Sequence, residues 1–387
     1  MKKILIVAMA NSIHTARWIN QLADSNFEIF LYSSNGYVIP HPDINAQINL
    51  LNFNKHLFFL KKLKLIILLR IICKFIRVYE NIFLDRSSVQ LAHLIEKISP
   101  NLIHSLEFQS AAYLVLDSKK NIKGKFPNWW ATCWGSDINY FKQFKNHKDK
   151  IKKVLSQCDY YSCECDRDYD LACELGLKGK FLGLVPSGGG FYLSQLEPYR
   201  LKKPSDRRLI MIKGYHGWSG RALAALSALE KCEDLLSNYE VCIYAASDSV
   251  IKVAKNIMHK TKIRIRIVPW GTSHFEILKF HSRSRVSIGI SIADGISTSM
   301  LEAMIAGSCP IQSSSACADE WIVKSKNGFI VDPEDIDQIY SVLRQGLLDD
   351  EFVNSAAEMN WSIAKRRLDY KLIKAKVSGM YNLVLHN

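Results

Sequence analysis

Residues 286–307 read VSIGISIADGISTSMLEAMIAG, and three textures follow one another along them. Val286–Ile290 reads as a strand, Ser291–Ser299 as a small polar loop, and Met300–Ala306 as a helix closed by Gly307. A loop of this kind delivers backbone N–H groups and hydroxyls to a helix N-terminus, which suits a diphosphate. Two carboxylates, Asp294 and Glu302, stand eight positions apart around it and are placed to grip two ends of a ligand that the loop cradles. Ser299-x-x-Glu302 is also the spacing of a capping box, in which the Glu reaches back to the N–H of its cap. Spacing alone leaves both readings open.

Upstream, the same scheme occurs twice. Ile4–Ala10 is an unbroken apolar run, as expected of a strand buried on both faces of a parallel sheet. The loop Asn11–His14 and a helical pattern over Thr15–Ala23 follow, and Phe27–Tyr32 reads as the next strand. Strand-like runs continue at Asn101–His104, Trp129–Cys133, Tyr160–Cys163 and Phe181–Val185, mostly with helical patterns between them. The pattern restarts with Leu209–Lys213, the loop Gly214–Gly220 and the helical Arg221–Leu229. It continues with strands at Tyr239–Tyr244, Ile263–Val268, Val286–Ile290, Cys309–Gln312 and Gly328–Val331. Alternation of this kind predicts two doubly wound, Rossmann-like parallel-sheet α/β domains in tandem. The expected boundaries are 1–190, a breaker-rich linker over 191–206, a second domain over 207–365, and a last helical segment over 366–387. Arg17 and Arg221 both fall near the start of the first helix of their domain, where an added cation favours anions.

Charge divides the chain unevenly. The net charge is +14, from 51 Lys+Arg and 37 Asp+Glu among 387 residues. The first 155 residues hold 22 basic and 10 acidic side chains, so +12 of the total lies there. Lys55–Tyr79 alone contributes +7 with no acid, from Lys55, Lys61, Lys62, Lys64, Arg70, Lys74 and Arg77. If helical, Arg70, Lys74 and Arg77 share one face, and the segment reads as a basic amphipathic element lying in an anionic membrane interface. A core helix with snorkelling basic stems is the plainer alternative. No run approaches the roughly 20 apolar residues of a spanning helix. Met1-Lys2-Lys3 and the apolar run after it imitate a signal peptide, but the run stops at Asn11 and reads better as a first strand.

Several classes are disfavoured. The ten cysteines form no CxxC knuckle, so buried thiols in a reducing cytoplasm are expected and a metal site is not. The first loop, Ala8-Met9-Ala10-Asn11-Ser12, lacks GxGxxG, which weighs against an NAD-dependent oxidoreductase. The basic run fits no nucleic-acid module. Asp166-Arg167-Asp168 lies in an acidic helical stretch and reads as surface.

Asp294-Gly295, followed by Met300-Leu301-Glu302-Ala303-Met304-Ile305-Ala306-Gly307-Ser308-Cys309-Pro310-Ile311, resembles the E-G-x6-E-A-M-A-x-G-x-P-V-I signature of the retaining nucleotide-sugar glycosyltransferases of family 4. Glu320 and Asn327-Gly328-Phe329-Ile330-Val331-Asp332-Pro333-Glu334-Asp335 are similar to its continuation. Val185-Pro186-Ser187-Gly188 resembles its P-N-G turn, and Trp134-Gly135-Ser136-Asp137 its H-G-x-D. The match is firm over roughly 209–350 and outlined before that. Asp294 stands for the usual Glu, Tyr215 for an Arg, and Trp134 for a His.

The resemblance implies a GT-B fold, with two Rossmann-like domains facing across a cleft, an acceptor on the first and a nucleotide sugar, UDP before GDP, mainly on the second. A last helix would return to the first domain. Glu302 would hold ribose hydroxyls and Asp294 the sugar hydroxyls, with Arg221 as the third catalytic group. Gly295, Ile296, Ser297, Thr298 and Ser299 would contact phosphate and sugar. Gly214 and Arg221 would serve the diphosphate, with Lys213 or His216 supplying further charge, and Trp270 would lie in the base-binding loop. Asn11, His14, Arg17 and Asp137 would face the acceptor. The implied partners are a nucleotide-sugar donor, a lipid-linked oligosaccharide acceptor and the cytoplasmic face of the plasma membrane, with no metal and no nucleic acid. A non-catalytic, membrane-associated protein that keeps the fold is the alternative.

Overall fold

The structure, a computed structural model, describes residues 1–36, 39–52, 84–200 and 202–386. The basic segment 55–79 lies outside the described residues. The chain divides into two compact units, one of residues 1–189 with the C-terminal stretch from Ile373, the other Gly190–Leu372.

The first unit is built on seven strands: β1 Lys2–Ala8, β2 Phe27–Ser33, β3 Asn49–Leu51, β4 Leu102–Leu106, β5 Asn128–Thr132, β6 Tyr160–Cys163 and β7 Lys180–Leu184. They pair in parallel in the order β3-β2-β1-β4-β5-β6-β7. Ile4–Ala8 have no exposed surface, which is why the run is continuously apolar. The C-terminal helix Tyr370–His386 packs Ile373, Val377, Met380 and Tyr381 into the core of this unit, beside Ile4, Ile6 and Trp18. Within that core the Tyr381 hydroxyl receives the Trp18 indole N–H (3.0 Å) and faces His104 Nδ1 (2.5 Å). His104 Nε2 lies 2.7 Å from the Thr132 hydroxyl, and its ring stacks on Trp130. Burial holds this imidazole well below the usual histidine range.

The second unit has six strands: β8 Leu209–Lys213, β9 Glu240–Tyr244, β10 Arg264–Ile267, β11 Ser284–Gly289, β12 Cys309–Ser313 and β13 Phe329–Val331. Their order, β10-β9-β8-β11-β12-β13, repeats that of the first six strands of the other sheet, and every pair is parallel. In each sheet the order reverses once, between β1 and β4 and between β8 and β11. Ligands of open α/β sheets bind beyond the carboxyl ends of the strands at such a point.

Two local expectations change. The first helix is Ile13–Asn20, starting earlier than the apolar spacing suggested because Ser12 caps it by accepting the His14 N–H (3.2 Å). Arg17 therefore falls in its last turn and adds nothing to an anion site at its start. Asp168 is fully buried and paired with Arg167 (2.9 Å), so it is not a surface group.

Candidate active site

In the second unit the loops that follow β8 and β11 are stitched together over the reversal point. Gly220 bridges Ser291, the Arg221 N–H donates to the Ile290 carbonyl (2.9 Å), and the Ile292 N–H donates to that of Ser219 (2.8 Å). Gly214 makes the first of these loops possible. A Cβ there would stand 2.5 Å from Ile243 Cγ2 and 2.8 Å from Ala246 Cα, and its own N–H and carbonyl bond to Tyr244 and Ser247. Lys213 closes β8, half-buried, and His216 pairs with Arg221 across the loop.

Arg221 is the N-cap of the helix Ala222–Lys231. Its guanidinium donates to the carbonyls of Gly217 (3.1 Å) and Gly220 (3.0 Å) and pairs with Glu334 (2.5 Å). Glu334 is largely exposed, and an exposed ion pair of this kind is weak. A diphosphate can therefore compete for Arg221.

The helix Thr298–Ala306 begins at this same edge. Its N-cap is Ser297, whose hydroxyl bonds that of Ser299 (2.8 Å) and makes no side-chain cap. Glu302 is the fifth residue of the helix, five positions past its cap, and almost fully buried. One carboxylate oxygen, Oε1, receives His274 Nε2 at 2.6 Å, and Oε2 lies 3.8 Å from His281 Nε2. The capping-box reading of Ser299 and Glu302 fails, because the cap is Ser297 and Glu302 stands five positions past it instead of three. Burial, then the Glu302 charge, raises the phenol of Tyr244 well above its ordinary range, and a hydrogen bond from Ser299 works the other way. Asp294 is half-buried and accepts the Gly295 N–H (3.0 Å), at the opposite side of the loop Gly295-Ile296-Ser297-Thr298. Trp270, on the loop after β10, is 75% exposed, and its indole N–H is anchored on the Ala246 carbonyl (3.1 Å). A broad apolar ring fixed at one end and open on its face suits stacking by a base. Spacing did not disclose His274, His281 or Tyr244. The signal available was two histidines seven apart, on one face of the helix His274–Arg283.

In the first unit, Asn11 and His14 follow β1 and so sit at the reversal point of that sheet. Asn11 receives the side-chain N–H of Asn35 (2.9 Å), and the His14 ring meets Trp134 edge-on at 5.7 Å. Asp137 is placed differently from an open acceptor group. It is buried, and its Oδ2 receives the N–H groups of Trp134 (2.8 Å) and Phe108 (3.2 Å), tying the loops after β4 and β5. Burial and the neighbouring Glu107 push its carboxyl well above the carboxylate range. Glu107, also missed, has φ +72° and opens a single π-turn, Phe108–Ala112, in which it accepts the N–H groups of Ser110 and Ala111.

A family model described as "Glycosyl transferase 4-like" matches residues 3–163, and one described as "Glycosyl transferases group 1" matches 201–363. No curated protein matches the sequence. Among solved structures, the fold is similar to that of a sucrose-phosphate synthase from Thermosynechococcus elongatus, with TM-score 0.71 and 12% identity over 100% of each chain. It is also similar to Anabaena HepE in complex with UDP-glucose, with TM-score 0.68 and 12% identity over 99% of this chain and 100% of that one. A glycosyltransferase from Rickettsia africae gives TM-score 0.70 and 14% identity over 100% of this chain and 99% of that one. Two tandem parallel-sheet units, each matched by a glycosyltransferase model, place the chain in the GT-B class of glycosyltransferase. Within that class, the chain belongs to the family 4 type.

Proposed function

We propose that the chain moves a sugar, with retention of anomeric configuration, from a UDP-sugar to a hydroxyl of a lipid-linked glycan during cell-surface polysaccharide assembly on the inner face of the plasma membrane. The observation that carries this reading is the buried Glu302 carboxylate, held beside a helix N-terminus at the reversal point of the second sheet. In this reading Glu302 accepts the two ribose hydroxyls and Trp270 stacks on the base. Arg221, with Lys213 and His216, meets the diphosphate, and Asp294 meets hydroxyls of the transferred sugar. That HepE is described in complex with UDP-glucose supports uridine as the base.

The bond that breaks joins the anomeric carbon to the diphosphate oxygen; the one that forms joins that carbon to the acceptor oxygen on the same face. The electron pair leaves with the diphosphate, and the departing diphosphate oxygen takes the proton that the acceptor hydroxyl gives up. Placed donors stabilise that developing charge, and holding donor and acceptor in register supplies much of the remaining acceleration. Arg221 and the loop Ile296–Ser299 supply those donors without a metal ion.

A thermal-shift series with UDP, GDP and their sugar conjugates is the direct test, because a bound ligand raises stability by mass action. UDP and at least one UDP-sugar are expected to raise the melting temperature. Glu302→Ala and Arg221→Ala are each expected to lower kcat/KM by more than about tenfold, the scale of one lost charged hydrogen bond, with excess EDTA leaving the wild-type rate intact. A Glu302→Ala enzyme that melts earlier but turns over normally would remove Glu302 from the site, and loss of activity in EDTA restored by Mn²⁺ would remove metal independence.

A further inference from the structure

Glu302 is a ribose anchor only if something outside it holds its two oxygens with lone pairs in fixed directions. The neighbouring helix His274–Arg283 does. His274 is its first residue and His281 stands two turns on, so both rings project from one face. His274 Nε2 reaches Oε1 at 2.6 Å, while His281 Nε2 faces Oε2 at 3.8 Å and has no hydrogen-bond partner among the described residues.

The Ser287 hydroxyl can serve either tautomer of His281, and the carboxylate on the other side of the ring decides between them. Nδ1 lies 2.8 Å from the Ser287 hydroxyl, which belongs to a buried triad with Ser284 and Ser308. With the Ser287 O–H donated to Nδ1, the ring carries its proton on Nε2 and turns an N–H toward the carboxylate. The other tautomer would turn a lone pair toward a negative charge. Burial favours the neutral ring and lowers its pKa to about 4, against the pull of Glu302.

We propose that His274 and His281 are positioning residues that clamp the Glu302 carboxylate between two N–H groups and leave its outward lone pairs to the 2′- and 3′-hydroxyls of the donor ribose. This rests on the reading of Glu302 as the ribose anchor. His274 also follows Trp270 by four residues. One short stretch thus carries the surface proposed for the base and the ring that orients the proposed ribose anchor, in the order in which a nucleoside presents those parts. His274 is the partly exposed member, with 33% of its side chain accessible, and His281 the sealed one at 1%.

The test is calorimetric titration with UDP and 2′,3′-dideoxy-UDP, and with the corresponding GDP pair, on wild type, His274→Phe and His274→Gln. Wild type should prefer the diol-bearing ligand by at least about tenfold. His274→Phe should weaken UDP at least about fivefold while leaving the dideoxy ligand nearly unchanged, so that the preference shrinks below about threefold. His274→Gln, whose side-chain N–H can replace Nε2–H, should restore most of it. Should His274→Phe fail to fold, His274→Ala, which adds no bulk, is read in the same way. A wild-type preference that survives intact in the His274 variants would overturn the clamp alone. Equal affinity of wild type for both ligands of each pair would overturn the ribose role of Glu302 and the clamp with it.

Discussion

Asp137 and Glu107 form a buried acidic pair at the carboxyl edge of the first sheet, and each raises the cost of charging the other. Asp137 is pushed upward by burial first and by Glu107 second. Glu107 is pushed upward by burial, opposed by its bonds to Ser110 and Ala111. A carboxyl whose pKa is raised on folding stabilises the fold below its unfolded pKa, and that stabilisation is lost as pH rises through the folded value. Asp137→Asn keeps an oxygen for the Trp134 and Phe108 N–H groups and removes the charge. Its melting temperature relative to wild type should therefore climb between pH 4.5 and pH 9, by roughly 2–4 °C for each kcal/mol of relieved repulsion. A difference that stays flat across this range would mean the two carboxyls do not compete. His14, another acceptor-side residue read from the sequence, reaches its position by a helix start that Ser12 dictates, and its edge contact with Trp134 joins the loops after β1 and β5.

The helix Thr298–Ala306 has its ends differently supplied. Its start is left to the polar loop, whereas its last carbonyls are met by guanidinium groups. Arg200 donates to Ile305 (3.2 Å), and Arg207 donates to Ala306 and Ser284 (3.1 Å each) and to Lys202 (2.9 Å). Cations at a helix C-terminus oppose its negative end, and burial lowers Arg207 to about 10. Arg207→Met fills similar space but strands buried carbonyls, which costs on the order of 2–4 kcal/mol. The thermal transition should drop by several degrees, and an unchanged transition would show that these carbonyls find other partners. Elements of this kind were largely legible beforehand. β8 falls on Leu209–Lys213 as its apolar run indicated, and Gly307, at φ +76°, ends the helix where a glycine should. β3 was not legible, because three residues are too few to show a period. Nor was the tie between His274 and Glu302, since they are 28 residues apart and meet only once the helix before β11 lies beside the helix after it.

At the scale of the molecule the excess of positive charge belongs to the first 155 residues, and only part of it lies on described surface. The helix Lys145–Gln157 exposes Lys145, Lys148, Lys150, Lys152 and Lys153 against a single acid, Asp149. The segment 55–79 adds seven positive side chains. No helix among the described residues is long and apolar enough to cross a membrane. If the acceptor is lipid-linked, basic side chains near an anionic surface contribute about 1 kcal/mol each toward reaching it. Binding to vesicles containing phosphatidylglycerol should therefore exceed binding to neutral phosphatidylcholine vesicles, and should weaken as NaCl rises from 0.1 M to 0.5 M and the screening length shrinks. Replacing Lys61, Lys62, Lys64 and Arg70 with Gln should lower anionic-vesicle affinity by at least about tenfold while leaving UDP titrations of the second unit unchanged. Equal binding to both vesicle types would detach the charge from the membrane, and a loss of UDP affinity in the same variant would instead tie the segment to the donor side.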